Sequence, residues 1–408
     1  MVTYPNDWLE VKLNEISDVR DGTHDSPQYI SHGYPLVTSK NLKNGKIDWR
    51  DIQFISKNDF DSINKRSKVD ANDILMGMIG TIGNIARVPE TCKFAIKNVA
   101  LIKNIEKTNM TFLFYYLQSS NIANQLEDQA DGGNQKFIAL NKIRNFIIFL
   151  PSDPEQQAIA SVLSDFDEHI ENLTELIEKK KAIRDGALED LLSGRTRLDG
   201  FEGEWEEVEL GNIISSLKSG LSRELRNYDV GLPVVRANNI NDGKLNLNDD
   251  VKYWYKDDPK GADTSQYLIK KDDILVNFIN SEAKMGTSAI VLRDCSRDTI
   301  YTTNILRMRV KDNFCSKFLF YITFTNLYKK YIIDISKIAV NQASFTTVDY
   351  KQFKFRAPID TEEQQAIASV ITAMDEEIES LEMEKAKMMG IREGAMDDLL
   401  TGRVRLKV

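Results

Sequence analysis

The sequence predicts an α/β (α+β) chain in which two tandem-duplicated globular domains are separated by two long helices. The segment Glu155–Leu198 recurs 208 positions later as Glu363–Leu406, with 25 of 44 aligned residues identical and no gap. The regions between these segments also correspond, more weakly, and their short apolar runs are bounded by turn residues, as in strands. We therefore place globular domains at 1–150 and 200–357, and helical segments at 151–199 and 358–408.

Each repeated segment has the apolar periodicity of a coiled-coil helix. Apolar residues recur every three or four positions, and charged residues occupy most of the others. Both segments begin with a capping sequence and end at a glycine, Gly194 or Gly402. At 1.5 Å per residue, each helix would be about 60 Å long. Ordinary core packing and a homodimeric coiled coil are the alternatives to pairing between the two helices. The expected pairing residues, which we call the seam, are Ile159, Leu163, Phe166, Ile170, Leu173, Ile177, Ile367, Ile371, Met374, Ile378, Leu381 and Met388.

Two glycines, Gly186 and Gly394, interrupt the predicted helices at equivalent positions. A glycine inside a helix costs about 1 kcal/mol relative to alanine. Either a close helix crossing requires them, or they are tolerated defects.

The two globular regions share matched positions that include Asn98 and Asn304. Their short apolar runs predict a twisted sheet, and Thr111–Gln125 and Cys315–Tyr331 are each predicted as a helix with aromatic residues on one face. The loops between the matched positions differ freely. This pattern fits two copies of one reading device set to different targets, or divergence without functional meaning.

The net charge of −9 is unevenly distributed. Residues 1–150 carry 18 Lys+Arg and 17 Asp+Glu, and residues 200–357 carry 23 and 21. The helical segments 151–199 and 358–408 each carry 6 Lys+Arg and 12 Asp+Glu. A polyanion should therefore contact the globular domains, because acidic helices repel phosphate.

Cysteine usage and hydropathy indicate a cytoplasmic protein. Cys92, Cys295 and Cys315 are isolated, which favours neither a disulfide framework nor a zinc site. The first residues contain no apolar signal region, and the longest apolar run, Phe146–Leu150, is too short to cross a membrane. We expect a reducing, cytoplasmic environment.

Enzyme motifs are missing from the sequence. Gly77, Gly80 and Gly83 form a G-x-x-G-x-x-G pattern, but no Lys-Ser/Thr follows it, so a tight turn is the better interpretation than a P-loop. There is no Asn/Asp-Pro-Pro-Tyr/Phe stretch of the kind used to methylate a base amine, and the histidines lack ligand spacing. We predict no catalytic residue, no metal ligand and no cofactor-binding residue in this chain.

The run EQQAIASV, followed by a heptad helix ending in LLSGR-x-RL, and the repetition of the unit after GEWEEVEL resemble the specificity subunit of Type I restriction-modification enzymes. The resemblance covers essentially the whole chain. It implies two target recognition domains, each reading one half of a bipartite DNA sequence, and two spacer helices packed as an antiparallel, pseudo-twofold coiled coil. It also implies that two methyltransferase (modification) subunits dock on this frame and bind S-adenosylmethionine. Two restriction subunits can join them, and the chain itself has no catalytic activity.

The residues that would read DNA should lie on loops able to enter a groove. Arg or Lys suits guanine, and Asn or Gln suits adenine. The candidates in the first domain are Thr23, His24, Ser39, Lys40, Asn41, Lys43, Gly80, Thr81, Asn134, Gln135 and Lys136. Those in the second domain are Arg223, Arg236, Asn238, Asn239, Asn280, Lys284, Asn341, Gln342 and Ser344. Any one of them could equally be a turn residue or a phosphate contact. The equivalent positions of the two Asn-Gln pairs favour a shared backbone role for them.

Two alternatives remain open at this point. The chain could be the recognition subunit of a related defence system that methylates DNA without restriction, which the neighbouring genes would reveal. It could instead be a coiled-coil scaffold that never contacts DNA. A DNA-binding assay separates a recognition subunit from a scaffold. Phosphate contacts make binding depend on salt, so binding that does not depend on salt, or no binding, favours the scaffold.

Overall fold

The structure is a computed structural model that describes residues 3–90, 93–129, 137–241, 243–338 and 342–407. It divides into two units. The first comprises Met1–Glu175 with Met383–Val408, and the second comprises Leu176–Glu382. Because the boundary between the units falls within the two long helices, each unit contains one globular domain and a part of each helix.

The first domain alternates short strands with short helices. Its helices are α1 (Leu13–Ile16), α2 (Lys57–Ser67), α3 (Met110–Tyr116), α4 (Ser120–Gln129) and α5 (Leu140–Arg144). Its strands are β1 (Leu9–Lys12), β2 (Ser17–Asp21), β3 (Tyr29–Ile30), β4 (Tyr34–Thr38), β5 (Leu42–Lys43), β6 (Lys46–Ile47), β7 (Gln53–Ile55), β8 (Ile74–Gly77), β9 (Ile85–Arg87), β10 (Ala95–Lys97), β11 (Val99–Asn104) and β12 (Ile147–Leu150).

Two four-stranded sheets form the body of this domain. One has the order β2-β11-β8-β9 and is antiparallel throughout. The other has the order β10-β4-β7-β3, with β10 parallel to β4. Strand β1 pairs with β12, so the chain enters and leaves the domain on adjacent strands. Ile74 and Ile148 pack with Phe112 of α3 in the core beneath the first sheet.

The long helix α6 (Asp153–Ser193) leads from the first domain into the second, and α11 (Thr361–Leu400) follows the second. The other helices of the second domain are α7 (Leu210–Ile213), α8 (Ser316–Ile322), α9 (Asn326–Ile335) and α10 (Thr347–Lys351). Its strands are β13 (Trp205–Glu209), β14 (Ile214–Ser219), β15 (Gly231–Val235), β16 (Ile240–Asn241), β17 (Lys244–Leu245), β18 (Lys252–Tyr255), β19 (Ile274–Asn277), β20 (Ile279–Asn280), β21 (Ser288–Ile290), β22 (Ile300–Tyr301), β23 (Ile305–Val310), β24 (Lys337–Ile338), β25 (Ala343–Ser344) and β26 (Lys354–Pro358).

The sheets of the second domain repeat those of the first. The sheet with the order β14-β23-β19-β21 corresponds to the sheet β2-β11-β8-β9. In the sheet β18-β15-β22, the parallel pair β15 and β22 corresponds to the parallel pair β4 and β10. Strand β13 pairs with β26, as β1 does with β12. The strands β20-β25-β24 add a small sheet. The duplication read from the sequence is thus a duplication of the fold.

The two long helices run antiparallel in each unit. In the first unit, Arg392 of α11 donates from Nε to Asp167 of α6 at 2.5 Å. In the second, Arg184 of α6 lies 2.9 Å from Asp375 of α11. In both units the early part of one helix therefore meets the late part of the other. Both helices end where a glycine takes a positive φ, 73° at Gly194 and 70° at Gly402.

Two predicted helices are each divided into a pair. The segment predicted as Thr111–Gln125 contains all but the first residue of α3 and most of α4, and the one predicted as Cys315–Tyr331 contains α8 and most of α9. Turn hydrogen bonds from the Ser119 and Thr325 amides end α3 and α8. The Thr325 hydroxyl then accepts the N–H of Tyr328 and caps α9.

Gly186 and Gly394 do not mark a close helix crossing. A Cβ added at either position would meet no described atom within 4 Å outside the adjacent backbone of its own helix. The second of the two explanations, a tolerated defect, therefore fits these glycines.

Candidate nucleic-acid interface

A cleft of about 540 Å³ opens on the second domain. All the charged residues that line it are basic: Arg223, Arg236 and Lys284. Its other polar lining residues are Ser222, Asn238, Asn280, Thr302, Thr303 and Asn304. The structure thus brings together five of the residues predicted to bind DNA, namely Arg223, Arg236, Asn238, Asn280 and Lys284. A basic concavity rich in amides and hydroxyls can contact both phosphates and base edges.

The cleft residues lie at strand ends and in the turns beside them. Ser222 comes shortly after β14, Arg236 directly follows β15, and Asn280 ends β20. Thr302–Asn304 form the turn between β22 and β23. Side chains in such turns can vary without disturbing the sheet that positions them.

Arg223 is fixed by the buried carboxylate of Asp258. Its Nε and Nη2 donate to Asp258 Oδ2 at 3.1 and 2.5 Å. Asp258 also accepts the indole N–H of Trp254 at 3.2 Å, together with two backbone N–H groups. The Arg223 guanidinium and these donors hold the pKa of Asp258 well below its usual range. Arg223 is therefore an oriented hydrogen-bond donor at the cleft and adds little net charge.

Arg236 is oriented in a similar way. Its Nη2 donates to the backbone carbonyl and the carboxylate of Asp250, at 2.6 and 2.7 Å. Hydrogen bonds from Lys252 and then Arg236 lower the pKa of Asp250. The buried Nε of Arg236 has no hydrogen-bond partner in the part of the chain that the structure describes.

Asn41 and Asn239 hold equivalent turns from the inside. Both side chains are buried, with 3% and 4% of their surface exposed. Asn41 Oδ1 accepts the N–H and the hydroxyl of Thr38 at 3.0 and 2.8 Å, and its Nδ2 donates to a backbone carbonyl. Asn239 makes matching bonds with the Arg236 N–H and a carbonyl. Since both amides are used inside their domains, we leave them out of the proposed contact surface.

The remaining candidates of the second domain lie at its surface or close to it. Lys284 is exposed, and its Nζ donates to Asn241 at 3.3 Å. Asn280 is half-buried and accepts the N–H of Ser281. Gln342 is exposed, and Ser344 belongs to β25. Asn341 lies outside the described residues.

In the first domain, His24 lies between two oxygen acceptors. Its Nδ1 is 2.9 Å from Oδ1 of Asn98, and its Nε2 is 2.9 Å from Oδ2 of Asp21. The hydrogen bonds to Asn98 and then to Asp21 raise the pKa of His24. Only the protonated ring can donate to both acceptors at once. The two acceptors therefore favour the positively charged ring. Because His24 is exposed, this charge lies at the surface of the domain.

The other candidates of the first domain differ in how available they are. Lys40 is exposed and has no ion-pair partner among the described residues, whereas Lys43 is paired with Asp48 at 2.8 Å. Gly80 occupies an exposed turn with a φ of 78°, as the glycine spacing predicts. Asn134, Gln135 and Lys136 lie outside the described residues.

The half-buried Thr23 and the buried Ser39 lie near Asn98, within the polar network of the first domain. Thr23 accepts the N–H of Asn98 through its backbone carbonyl. The Ser39 hydroxyl donates to the Asn98 carbonyl at 2.9 Å, and Thr81 donates to the Ser39 carbonyl at 3.0 Å. Asn98 and its counterpart Asn304 were not selected from the sequence as binding residues. The signal that could have found them was an asparagine shared by two loops that otherwise diverge.

The seam residues are all buried or half-buried. Ile159 and Leu163 join the core of the first domain together with Leu399 and Leu400 from the end of α11. In the second unit, a corresponding cluster contains Ile367, Ile371, Leu188, Leu191 and Leu192. The start of each helix thus packs on its own domain and on the last turns of the other helix. The leucines of those last turns were missing from the predicted seam.

Each domain is also fastened to the helices by a network of three residues. The Tyr115 hydroxyl donates to Asp167 at 2.7 Å, on the same carboxylate that receives Arg392. Burial raises the pKa of Tyr115 to about 12, so the hydroxyl remains a donor. The second unit repeats the network with Tyr321, Asp375 and Arg184.

The described residues contain no group of three or more His, Cys, Asp or Glu side chains that could hold a metal ion. Cys295 and Cys315 are free thiols, and Cys92 lies outside the described residues. No described helix is both long enough and apolar enough to cross a membrane.

Comparison with known proteins identifies the two domains. One family model, the Type I restriction modification DNA specificity domain, matches residues 5–181 and again residues 202–388. Each match covers one globular domain and much of the helix that follows it. The chain belongs to this family.

Several specificity subunits of Type I restriction enzymes are similar to this chain, over different shares of its length. The MjaVIII specificity subunit of Methanocaldococcus jannaschii is 25% identical over 427 residues, which cover 99% of this chain and 94% of that protein. The putative MjaX specificity subunit of the same organism is 27% identical over 208 residues, or 51% of this chain and about half (48%) of that protein. The crystal structure of the S subunit from M. genitalium shares the fold, with a TM-score of 0.59, 16% identity and 98% of each chain covered.

Two DNA specificity domains in tandem make this Type I family member a sequence-specific DNA-recognition subunit. The tandem family matches and the shared fold also confirm the predicted duplicated domains and paired long helices. The family assignment does not say which side chains contact DNA, and that question rests on the geometry of the loops.

Proposed function

We propose that each globular domain reads one half of a bipartite duplex target and that α6 and α11 set the distance between the halves. The observation that carries this proposal is the second-domain cleft, whose charged lining residues are all basic and which holds five candidate residues. Its asparagines suit adenine, its arginines and lysine suit guanine or phosphate, and its loops can diverge on a constant sheet.

The charge distribution supports placing DNA on the domains and not on the helices. Residues 1–150 and 200–357 carry a small excess of Lys+Arg, while each helical segment carries twice as many acidic as basic residues. DNA lying along the helices would meet repulsion, which salt screens only beyond about 8–10 Å. The helices are instead free to bind protein partners.

We assign those partners as two modification (methyltransferase) subunits, which two restriction subunits can join. In this proposal S-adenosylmethionine binds to the methyltransferase subunits, and the present chain has no catalytic step of its own. The missing sequence motif for base-amine methylation supports this division of labour. A complex that modifies DNA in this way acts in the cytoplasm.

A mobility-shift experiment tests DNA recognition. The full chain, alone and with its methyltransferase subunits, is titrated into duplex DNA that contains the sequence methylated by the complex. It is also titrated into the same duplex with one half-site scrambled. We expect preference for the intact target and an affinity that falls steeply as salt increases. Absence of binding, or binding that ignores both sequence and salt, would favour the coiled-coil scaffold.

A further inference from the structure

Asn98 and Asn304 occupy matching positions in the two domains, directly before β11 and β23. The Asn98 carbonyl accepts the N–H of Met78 at 3.3 Å, and the Asn304 carbonyl accepts the N–H of Phe278 at 3.2 Å. Both donors directly follow the neighbouring strand of the same sheet, β8 or β19. The two asparagines are therefore anchored at matching points of the sheet, but their backbones differ. Asn98 has a positive φ of 55°, Asn304 does not, and three residues separate β22 from β23 where one separates β10 from β11.

The amide of Asn98 is engaged, whereas that of Asn304 is not. His24 approaches Asn98 Oδ1 to 2.9 Å. The equivalent of His24 in the second domain is Ser222, two residues after the matching glycine, and its shorter side chain makes no hydrogen bond to Asn304. Among the described residues, the Asn304 side chain has no hydrogen-bond partner, and it lines the cleft together with Ser222.

A second residue that bonds to Asn98 is also replaced in the second domain. In the first domain, the Ser39 hydroxyl donates to the Asn98 carbonyl at 2.9 Å. The equivalent residue in the second domain is Ala237, which lacks a hydroxyl and lines the cleft. Two side chains that bond to the asparagine in one domain are thus replaced by smaller ones in the other.

We propose that Asn304 is a specificity-determining residue that recognises an adenine in one half of the DNA target. An asparagine amide can donate to adenine N7 and accept from its N6 amino group at the same time. Guanine presents two acceptors there and suits Arg or Lys better. Arg223 and Arg236 already have carboxylate partners in Asp258 and Asp250, while the Asn304 amide has both its donor and its acceptor available. The inference rests on the proposed DNA-reading function of the second domain.

Selection from a randomised duplex library tests this assignment. The full chain in complex with its methyltransferase subunits is compared with Asn304→Ala and Asn304→Asp. The second variant keeps the side-chain volume but replaces the N–H donor. Asn212→Ala is the matched control, because Asn212 is exposed in the same domain but does not line the cleft. Arg236→Ala identifies which half-site the second domain reads.

The wild-type complex should require an adenine at one position of the half-site affected by Arg236→Ala. Both Asn304 variants should lose that preference by roughly 5- to 150-fold, the range for one bidentate contact, and should leave the other half-site unchanged. Asn212→Ala should select the wild-type sequence. The proposal would be overturned if the Asn304 variants selected the wild-type sequence, if their preference weakened equally at every position, or if it relaxed at a G·C pair. A wild-type complex that selects no sequence would overturn the proposed function as well.

Discussion

Arg405 and Glu155 form a two-point ion pair, with Nε to Oε1 at 2.6 Å and Nη2 to Oε2 at 2.7 Å. Glu155 is 2% exposed, and Arg405 also donates to Asp7, 398 positions away in the sequence. The guanidinium lies 5.9 Å from the centre of the Trp8 ring. The second unit repeats the arrangement with Arg197, Glu363 and Trp205. The first residues of each helix are thus joined to the segment that follows the end of the other.

Arg405→Ala should lower the free energy of unfolding by about 3 kcal/mol, because it leaves a buried carboxylate without its partner. The value is at the lower end for a broken buried pair, since the Arg405 side chain is 40% exposed. Arg403→Ala is the control, because Arg403 pairs only with exposed acids and its loss should lower the free energy of unfolding much less. Urea unfolding followed by tryptophan fluorescence measures both. Equal losses in the two variants would contradict the role given to the buried pair.

Gly186→Ala and Gly394→Ala should each raise the free energy of unfolding by about 1 kcal/mol, because alanine favours the helix and its Cβ meets open space. Gly194→Ala should have the opposite effect. Its φ is 73°, and a Cβ there would lie 3.2 Å from the Trp205 ring. Thermal unfolding of the three variants is the measurement. Destabilisation by the first two would indicate a contact that these helices need.

DNA affinity should fall as the pH rises through the raised pKa of His24. Hydrogen bonds from the ring to Asn98 and then Asp21 raise that pKa. The positive charge on His24, and its contribution to the stability of the fold, are therefore fully present below about pH 6.5, the ordinary pKa of histidine. Both are lost above the raised value in the folded protein. Fluorescence anisotropy with target DNA at constant ionic strength measures the effect. His24→Gln should flatten the profile and His32→Gln should preserve it; an unaltered profile in His24→Gln would exclude His24 as its source.

Adding one heptad to both long helices should lengthen the non-specific spacer of the target by about three base pairs. Seven residues add about 10 Å of helix, and base pairs are spaced about 3.4 Å apart. Insertions between Glu175 and Leu176 and between Glu382 and Met383 fall between the two units and leave the contacts within each unit intact. Methylation sequencing reports the spacer. An unchanged spacer in an assembled, active complex would refute the helices as a ruler, and a single insertion is the control expected to impair assembly.

The long helices could be predicted from the sequence because their signals are local. Apolar periodicity, capping residues and terminal glycines all lie within the segment they describe. The pairing of Glu155 with Arg405 could not be predicted, since it joins residues 250 positions apart. Both residues recur in the second copy, but recurrence alone does not reveal that they pair crosswise between copies.

The candidate interface could be predicted only in part, because an asparagine in a turn looks the same in sequence whatever its amide does. Asn41 and Asn239 use their amides within the domain, whereas Asn238 is exposed at the cleft. Asn304 was overlooked because the availability of its amide depends on its backbone conformation and on residues distant in sequence, such as Ser222, 82 positions away. Burial and partner identity, which depend on the tertiary fold, decide between these roles.

Replacing the second domain by a copy of the first tests the central claim most directly. Residues 205–357 are exchanged for residues 8–150, at matched positions in the paired strands β13–β26 and β1–β12. The run EQQAIASV that follows is the same in both copies, so much of the domain–helix contact is kept. Genome-wide methylation sequencing of cells expressing this chain with its methyltransferase subunits should show a target with two identical half-sites. An assembled complex that still methylates the original asymmetric target would contradict the assignment of one half-site to each domain.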